Sequence, residues 1–162
     1  MINTKQVHDR RALRFEELNA AVADAELLAD AERRGTLRAA GNWTLGQALG
    51  HLAFWANAPY DGYPEMGQPP WFIRMLLPLF KSRFLNKGMP AGVRIRGVPD
   101  GTFGTSLVGT DEALFAMRAA FTRLSLQAPT RHNAIFGHMT HADWIKLNLR
   151  HAELHLSFLH PS

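Results

Sequence analysis

The stretch "HADWIKLNLRHAELHLSFL", residues 141–159, constrains the fold more than any other part of the chain. Wound as an α-helix at about 100° per residue with His151 at zero, it places Trp144 at about 20°, Phe158 at about −20° and Leu147 at about −40°. Ile145, Leu149, Ala152 and Leu156 form a second apolar set about 100–160° away. A helix with two apolar flanks has to be covered on both. Either neighbouring helices of the same chain do so, or one flank meets a second copy. The reading leans to a homodimer, because twofold assemblies dominate among oligomers.

The rest of the chain supplies the neighbours. Phe15, Leu18, Val22, Ala25 and Leu28 recur at helical spacing and predict a first helix over about Phe15 to Arg33. Gly35 and Gly41 then interrupt the pattern. Thr44 and Gln47 fit a capping box opening a second helix, with its end near Ala58, before Pro59. A further apolar segment, Trp71 to Asn86, fits a helix kinked or started at Pro78. Thr110 as N-cap, with Asp111 and Glu112 at the positive helix start, predicts a helix over Asp111 to Gln127. Thr140 and Asp143 form a second capping-box pattern, and the final helix is expected to run to Pro161. Strand patterning is poor, apart from a short strand allowed within "KGMPAGVRIRGVPDGTFG". The expectation is one all-α domain over residues 1–162: a helical bundle with a long irregular segment, 59–110, between its second and third main helices.

Charge and composition exclude several classes. The net charge of +4 comes from basic residues scattered through "DRRALR", "ERRGTLR" and "VRIRG", not from a basic stripe with interleaved aromatics, so no nucleic-acid partner is expected. The longest apolar run, "WFIRMLLPLF", carries Arg74 and Pro78 and is too short to span a bilayer, so no membrane partner is expected. The start "MINTKQVHDRR" does not read as a secretory signal, and the absence of cysteine suits a reducing compartment, so a cytoplasmic location is the expectation. Without cysteine there is no thiolate ligand and no cysteine nucleophile.

The histidines carry the chemistry. His155 falls at about 40° from His151, so both imidazoles lie in the middle of an apolar stripe. A buried imidazole without partners costs about 1–3 kcal/mol, and two in adjacent turns need two separate solutions or one shared metal ion. Spacing alone leaves open core or pocket histidines instead. A metal needs a third ligand, and His51 borders the buried face of the second helix, with Gln47 one turn before it. His141, at a helix start, reads as a solvated or local helix-end group.

"GNWTLGQALGHLA", "KGMPAG" and "IFGHMTHADWIKLNLRHAELHLSFL" together resemble a branch of unassigned function in the DinB/YfiT-like superfamily of metal-dependent enzymes, in matching order over nearly the whole chain. The resemblance implies a four-helix bundle holding one divalent metal. One ligand would come from the second helix and two from the last: by position His51, His151 and His155. Dimers among these relatives favour the homodimer. Relatives often carry two adjacent histidines in the final motif, where this chain has Leu154 before His155.

Three imidazoles with an open position match catalytic zinc; zinc or nickel lead, with iron or manganese allowed. Asn148 and Gln47 are candidate polar pocket groups for a bound cofactor or substrate. Glu153 falls on the far side of the last helix and is not assigned as a base. The expected activity is metal-dependent chemistry on a small molecule, hydrolase-like or moving a low-molecular-weight thiol, as the resemblance implies. The alternatives are a non-catalytic metal- or ligand-binding bundle, and a structural bundle whose histidines merely line a pocket. Trp71, Phe72 and the "GMPAGVRI" loop are expected to border the cavity mouth.

Overall fold

The computed structural model describes residues 2–65, 76–95, 97–98 and 101–162. Among them are five helices: α1 Leu18–Arg33, α2 Leu45–Asp61, α3 Lys81–Lys87, α4 Thr110–Leu126 and α5 His141–Leu156. Among the described residues strand is confined to two residues each in β1, Arg38–Ala39, and β2, Leu159–His160, which pair antiparallel. The fold is all-α. No helix among the described residues is long and apolar enough to cross a membrane.

The four long helices share one core. Leu28 from α1, Leu49 and Leu52 from α2, Met117 and Phe121 from α4, and Leu149 and Leu156 from α5 are all fully buried within a single cluster. The most extensive packing is between α2 and α4. Small residues permit it. A Cβ on Gly46 would collide with the Val108 carbonyl oxygen, and one on Gly50 would touch the Val108 side chain. The segment leading into α4 therefore lies directly on α2. The second apolar flank of α5 lies in the chain's own core: Leu149, Ala152 and Leu156 are buried, and Ile145 packs against them.

Helix ends depart from the sequence expectations for identifiable reasons. The first helix starts at Leu18 rather than Phe15, because both backbone groups of Phe15 are taken by side chains of α5. Its N–H donates to the Glu153 carboxylate at 2.7 Å, and its carbonyl accepts from Arg150. The end of α1 is a Schellman motif: Gly35, at φ 72°, donates to Glu32 and Thr36 donates to Ala31. Pro59 lies inside α2 instead of following it. In the last turn it forfeits one hydrogen bond, offset by full burial of its ring, and Gly62 then closes the helix. Gly109, not Thr110, is the N-cap of α4; with the 108–110 backbone pressed onto α2, Thr110 is already helical.

The last helix ends at Leu156, well short of Pro161. Beyond it the backbone finds partners elsewhere: the Ser157 carbonyl accepts from Arg11, the Phe158 carbonyl accepts from Ala40, and β2 pairs with β1. Around Pro78 the chain forms a 3₁₀ turn over Leu77–Phe80, and the α-helix follows as α3. The start of the Trp71–Asn86 helix, with Trp71 and Phe72 at the expected cavity mouth, lies outside the described residues. The described part of "KGMPAGVRIRGVPDGTFG" holds no strand; its Ile95 amide donates to the Gly101 carbonyl at 2.6 Å.

Candidate metal centre

Each helix that carries a ligand candidate is fixed at its start by the capping box read from the sequence. Thr44 and Gln47 exchange hydrogen bonds at 3.1 Å on α2, and Thr140 and Asp143 do so on α5. These starts set the rotation of each helix. The outcome is that His51 of α2 meets His151 and His155 of α5. The Nε2 atoms of His51 and His151 are 3.1 Å apart, and those of His155 and His151 are 3.0 Å apart. All three ligand atoms lie within 4.8 Å of one another. Ligands about 2.0–2.1 Å from a tetrahedral ion are roughly 3.3 Å from each other, so the donor set fits one ion.

The tautomers make the fit stronger. Nδ1 of His51 is 2.8 Å from the Phe103 carbonyl oxygen, which can only accept. Nδ1 therefore carries the proton, and the neutral ring turns the lone pair of Nε2 toward the other two histidines. The Nε2 of His151 is within reach of both neighbours but can donate or accept, not both. A single proton there would have to be split between two acceptors, whereas one divalent cation accepts all three lone pairs at once.

A close backbone approach supports this contact. Gly104 follows Phe103 at φ 75°, and a Cβ there would lie 2.6 Å from the Phe54 Cβ and 3.3 Å from the His51 Cα. Only glycine brings the Phe103 carbonyl this near to α2. Aromatic rings enclose the cluster. Trp43 stacks on His155 at 4.9 Å between centroids and 14° between planes, and tilts against His51 at 4.9 Å. Trp55 meets His51 edge-on at 6.3 Å. His51 is buried, whereas His151 and His155 are partly exposed, so the cluster opens on the α5 side.

Burial dominates the titration of the three rings. It pushes His51 down to about 4, despite the opposing hydrogen bond to Phe103. It holds His151 and His155 well below their usual value, with mutual repulsion adding to the effect. The rings are therefore neutral at ordinary pH, the form that binds metal.

The other sequence candidates sit as follows. Gln47 completes its capping box through its side-chain oxygen and donates its amide to the Thr105 carbonyl at 3.1 Å, fastening the loop after Gly104. Asn148 is buried and donates to the Trp144 carbonyl one turn back, at 3.0 Å. His141 approaches the Leu124 carbonyl at 2.6 Å and ties the end of α4 to the start of α5. Glu153 faces away from the cluster, toward Phe15 and Arg150. Trp43, Phe103 and Gly104 were not singled out as site residues from the sequence. The only signal for the last two was "GTFG" in a loop too long to be idle.

Residues 7–162 match the family model described as "Protein of unknown function (DUF1569)". The chain belongs to the DUF1569 family. No curated protein and no solved structure is matched. The DUF1569 match spans all three histidines, both capping boxes and the Phe103–Gly104 contact. The DinB/YfiT-like likeness of the motifs has no counterpart in these comparisons.

Proposed function

We propose that this DUF1569 chain is a metal-dependent enzyme acting on a small molecule, with one divalent ion held by His51, His151 and His155. The observation that carries this reading is the convergence of three Nε2 atoms, one of them fixed as a lone-pair donor by the Phe103 carbonyl. Zinc or nickel suits a site of neutral imidazoles without thiolate or carboxylate. A divalent ion there would supply Lewis acidity, lowering the pKa of a coordinated water toward about 7 or polarising a substrate oxygen or thiol.

The chain's own residues account for the rest. His51 is oriented by the 103–104 loop, and Trp43 and Trp55 wall two sides of the cluster against water. With no fourth protein ligand in the cluster among the described residues, a position is left for an exogenous molecule. Four helices of 16 or 17 residues, with ligands on the second and the last, support a DinB/YfiT-like four-helix bundle. That likeness suggests hydrolase-like or thiol-transferase-like chemistry.

A second reading, a metal- or ligand-binding bundle without catalysis, is favoured by the lack of any carboxylate in the cluster among the described residues. Metal analysis of protein purified without chelator or histidine tag tests the centre. A turnover screen pairing low-molecular-weight thiols with electrophiles, run beside hydrolytic substrates, separates the two readings. Stoichiometric metal with no turnover in either arm selects the second.

A further inference from the structure

Arg10 comes from the N-terminal arm to the end of α5, just beyond His155 and far from the three histidines in sequence. Its Nε donates to the buried Ser157 hydroxyl at 3.0 Å, and its guanidinium carbon lies 4.4 Å from the centroid of the Phe158 ring. Phe158 in turn packs on Gly41, where a Cβ would be 3.3 Å from the ring. Two residues on, Trp43 stacks on His155. Arg10, Phe158, the 41–43 segment and His155 thus form one continuous wall on the partly exposed side of the cluster.

The guanidinium is held but not neutralised. Nε is occupied by Ser157, while Nη1 and Nη2 make no hydrogen bond or ion pair among the described residues. The adjacent arginines differ: Arg11 pairs with Asp24 at 2.6 Å, and Arg14 lies near Glu16 and Glu153. A divalent ion on three neutral histidines would put a second uncompensated positive charge on the same wall as Arg10, with no carboxylate in the cluster among the described residues. Such a site attracts anions, and the free edge of a guanidinium matches a carboxylate in two-point geometry.

We propose that Arg10 is the anion-holding group of this site, and that the small molecule taken there carries a carboxylate as well as the donor atom that meets the metal. The inference rests on the metal reading above. Arg10 would act as a binding and positioning residue, selecting anionic over neutral ligands without touching the metal.

The test uses cobalt-loaded protein and two probes of the same length, 3-mercaptopropionate and 3-mercaptopropionamide, titrated by the thiolate–cobalt absorption. The ratio of their affinities in the native chain is compared with that in Arg10→Ala, which cancels intrinsic differences between the thiols and any carboxylate contact with the metal. The native preference for the acid is expected to exceed that of Arg10→Ala by about fivefold or more, with the amide bound equally by both proteins. Arg10→Lys should recover part of the preference. An unchanged ratio in Arg10→Ala overturns the proposal while leaving the metal centre standing. Equal weakening of both thiols makes Arg10 a structural prop of the arm and also overturns it. Failure of the native chain to bind cobalt removes the metal reading itself.

Discussion

The Phe103 carbonyl oxygen lies 2.8 Å from Nδ1 of His51 and fixes which nitrogen of that ring is the base. The contact exists because Gly104 lets the loop backbone reach α2, within 3.3 Å of the His51 Cα as measured from where a Cβ would stand. Partners that orient a ligating imidazole commonly contribute about 10–100-fold to metal affinity.

Gly104→Ala should therefore weaken the metal site without removing any ligand. The new methyl group meets Phe54, and φ 75° is strained for alanine, so the loop must shift and carry the Phe103 carbonyl away. Competition against a chromophoric chelator should read a loss of about 10-fold or more. Native affinity in this variant would mean that His51 is oriented by its aromatic neighbours alone.

Stoichiometry follows from the cluster. The native chain is expected to carry close to one divalent ion, and His51→Ala, His151→Ala and His155→Ala should each strip it. His141→Ala should keep the ion and lose only its tether to the Leu124 carbonyl, about 1 kcal/mol of stability. Full occupancy in a His151→Ala/His155→Ala double variant, by elemental analysis, would rule the assignment out.

Much of this arrangement was legible in the sequence because it depends on local signals. Two capping boxes set the starts of α2 and α5, and helical spacing then put His151 and His155 within an apolar stripe and His51 at the border of a buried face. What sequence could not supply was long-range. Phe15 has the spacing of a helical residue, yet its backbone is captured by Glu153 and Arg150, more than a hundred residues away. The same holds for the early end of α5, where Ser157 and Phe158 bond to Arg11 and Ala40. Phe103 reaches His51 through a loop, and no periodicity marks where a loop will land.

Acid should destabilise the metal-free protein. Burial lowers His51 from 6.5 to about 4 and depresses His151 and His155 as well, so between these limits the unfolded chain binds more protons than the folded one. Stability then rises with pH through that window, and is lost as pH falls from about 6.5 toward 4. Each histidine can contribute a slope of up to about 1.4 kcal/mol per pH unit. Urea unfolding of the metal-free chain between pH 5 and 8 should show a plateau above pH 7, a decline below it, and a shallower decline in His51→Gln. A flat profile would mean that these imidazoles are solvated. With metal bound the decline should steepen, since protons then also displace the ion.

Glu153 separates the stability of α5 from its chemistry. It is one residue from Ala152 and two from both His151 and His155, yet its carboxylate faces away from the cluster. It accepts from the Phe15 amide at 2.7 Å and pairs with the buried Arg150 at 2.9 Å, while Arg150 also donates to the Phe15 carbonyl. Removing the carboxylate leaves a buried guanidinium uncompensated and a backbone amide without its acceptor. Glu153→Ala should therefore cost about 3–5 kcal/mol in chemical denaturation. Glu153→Gln, which keeps an acceptor for Phe15, should cost less. Below their unfolding midpoints both variants should still bind one metal ion per chain with near-native affinity. A loss of metal in folded Glu153→Gln would make Glu153 part of the centre, and the division of α5 into a metal-binding face and an anchoring face would have to be abandoned.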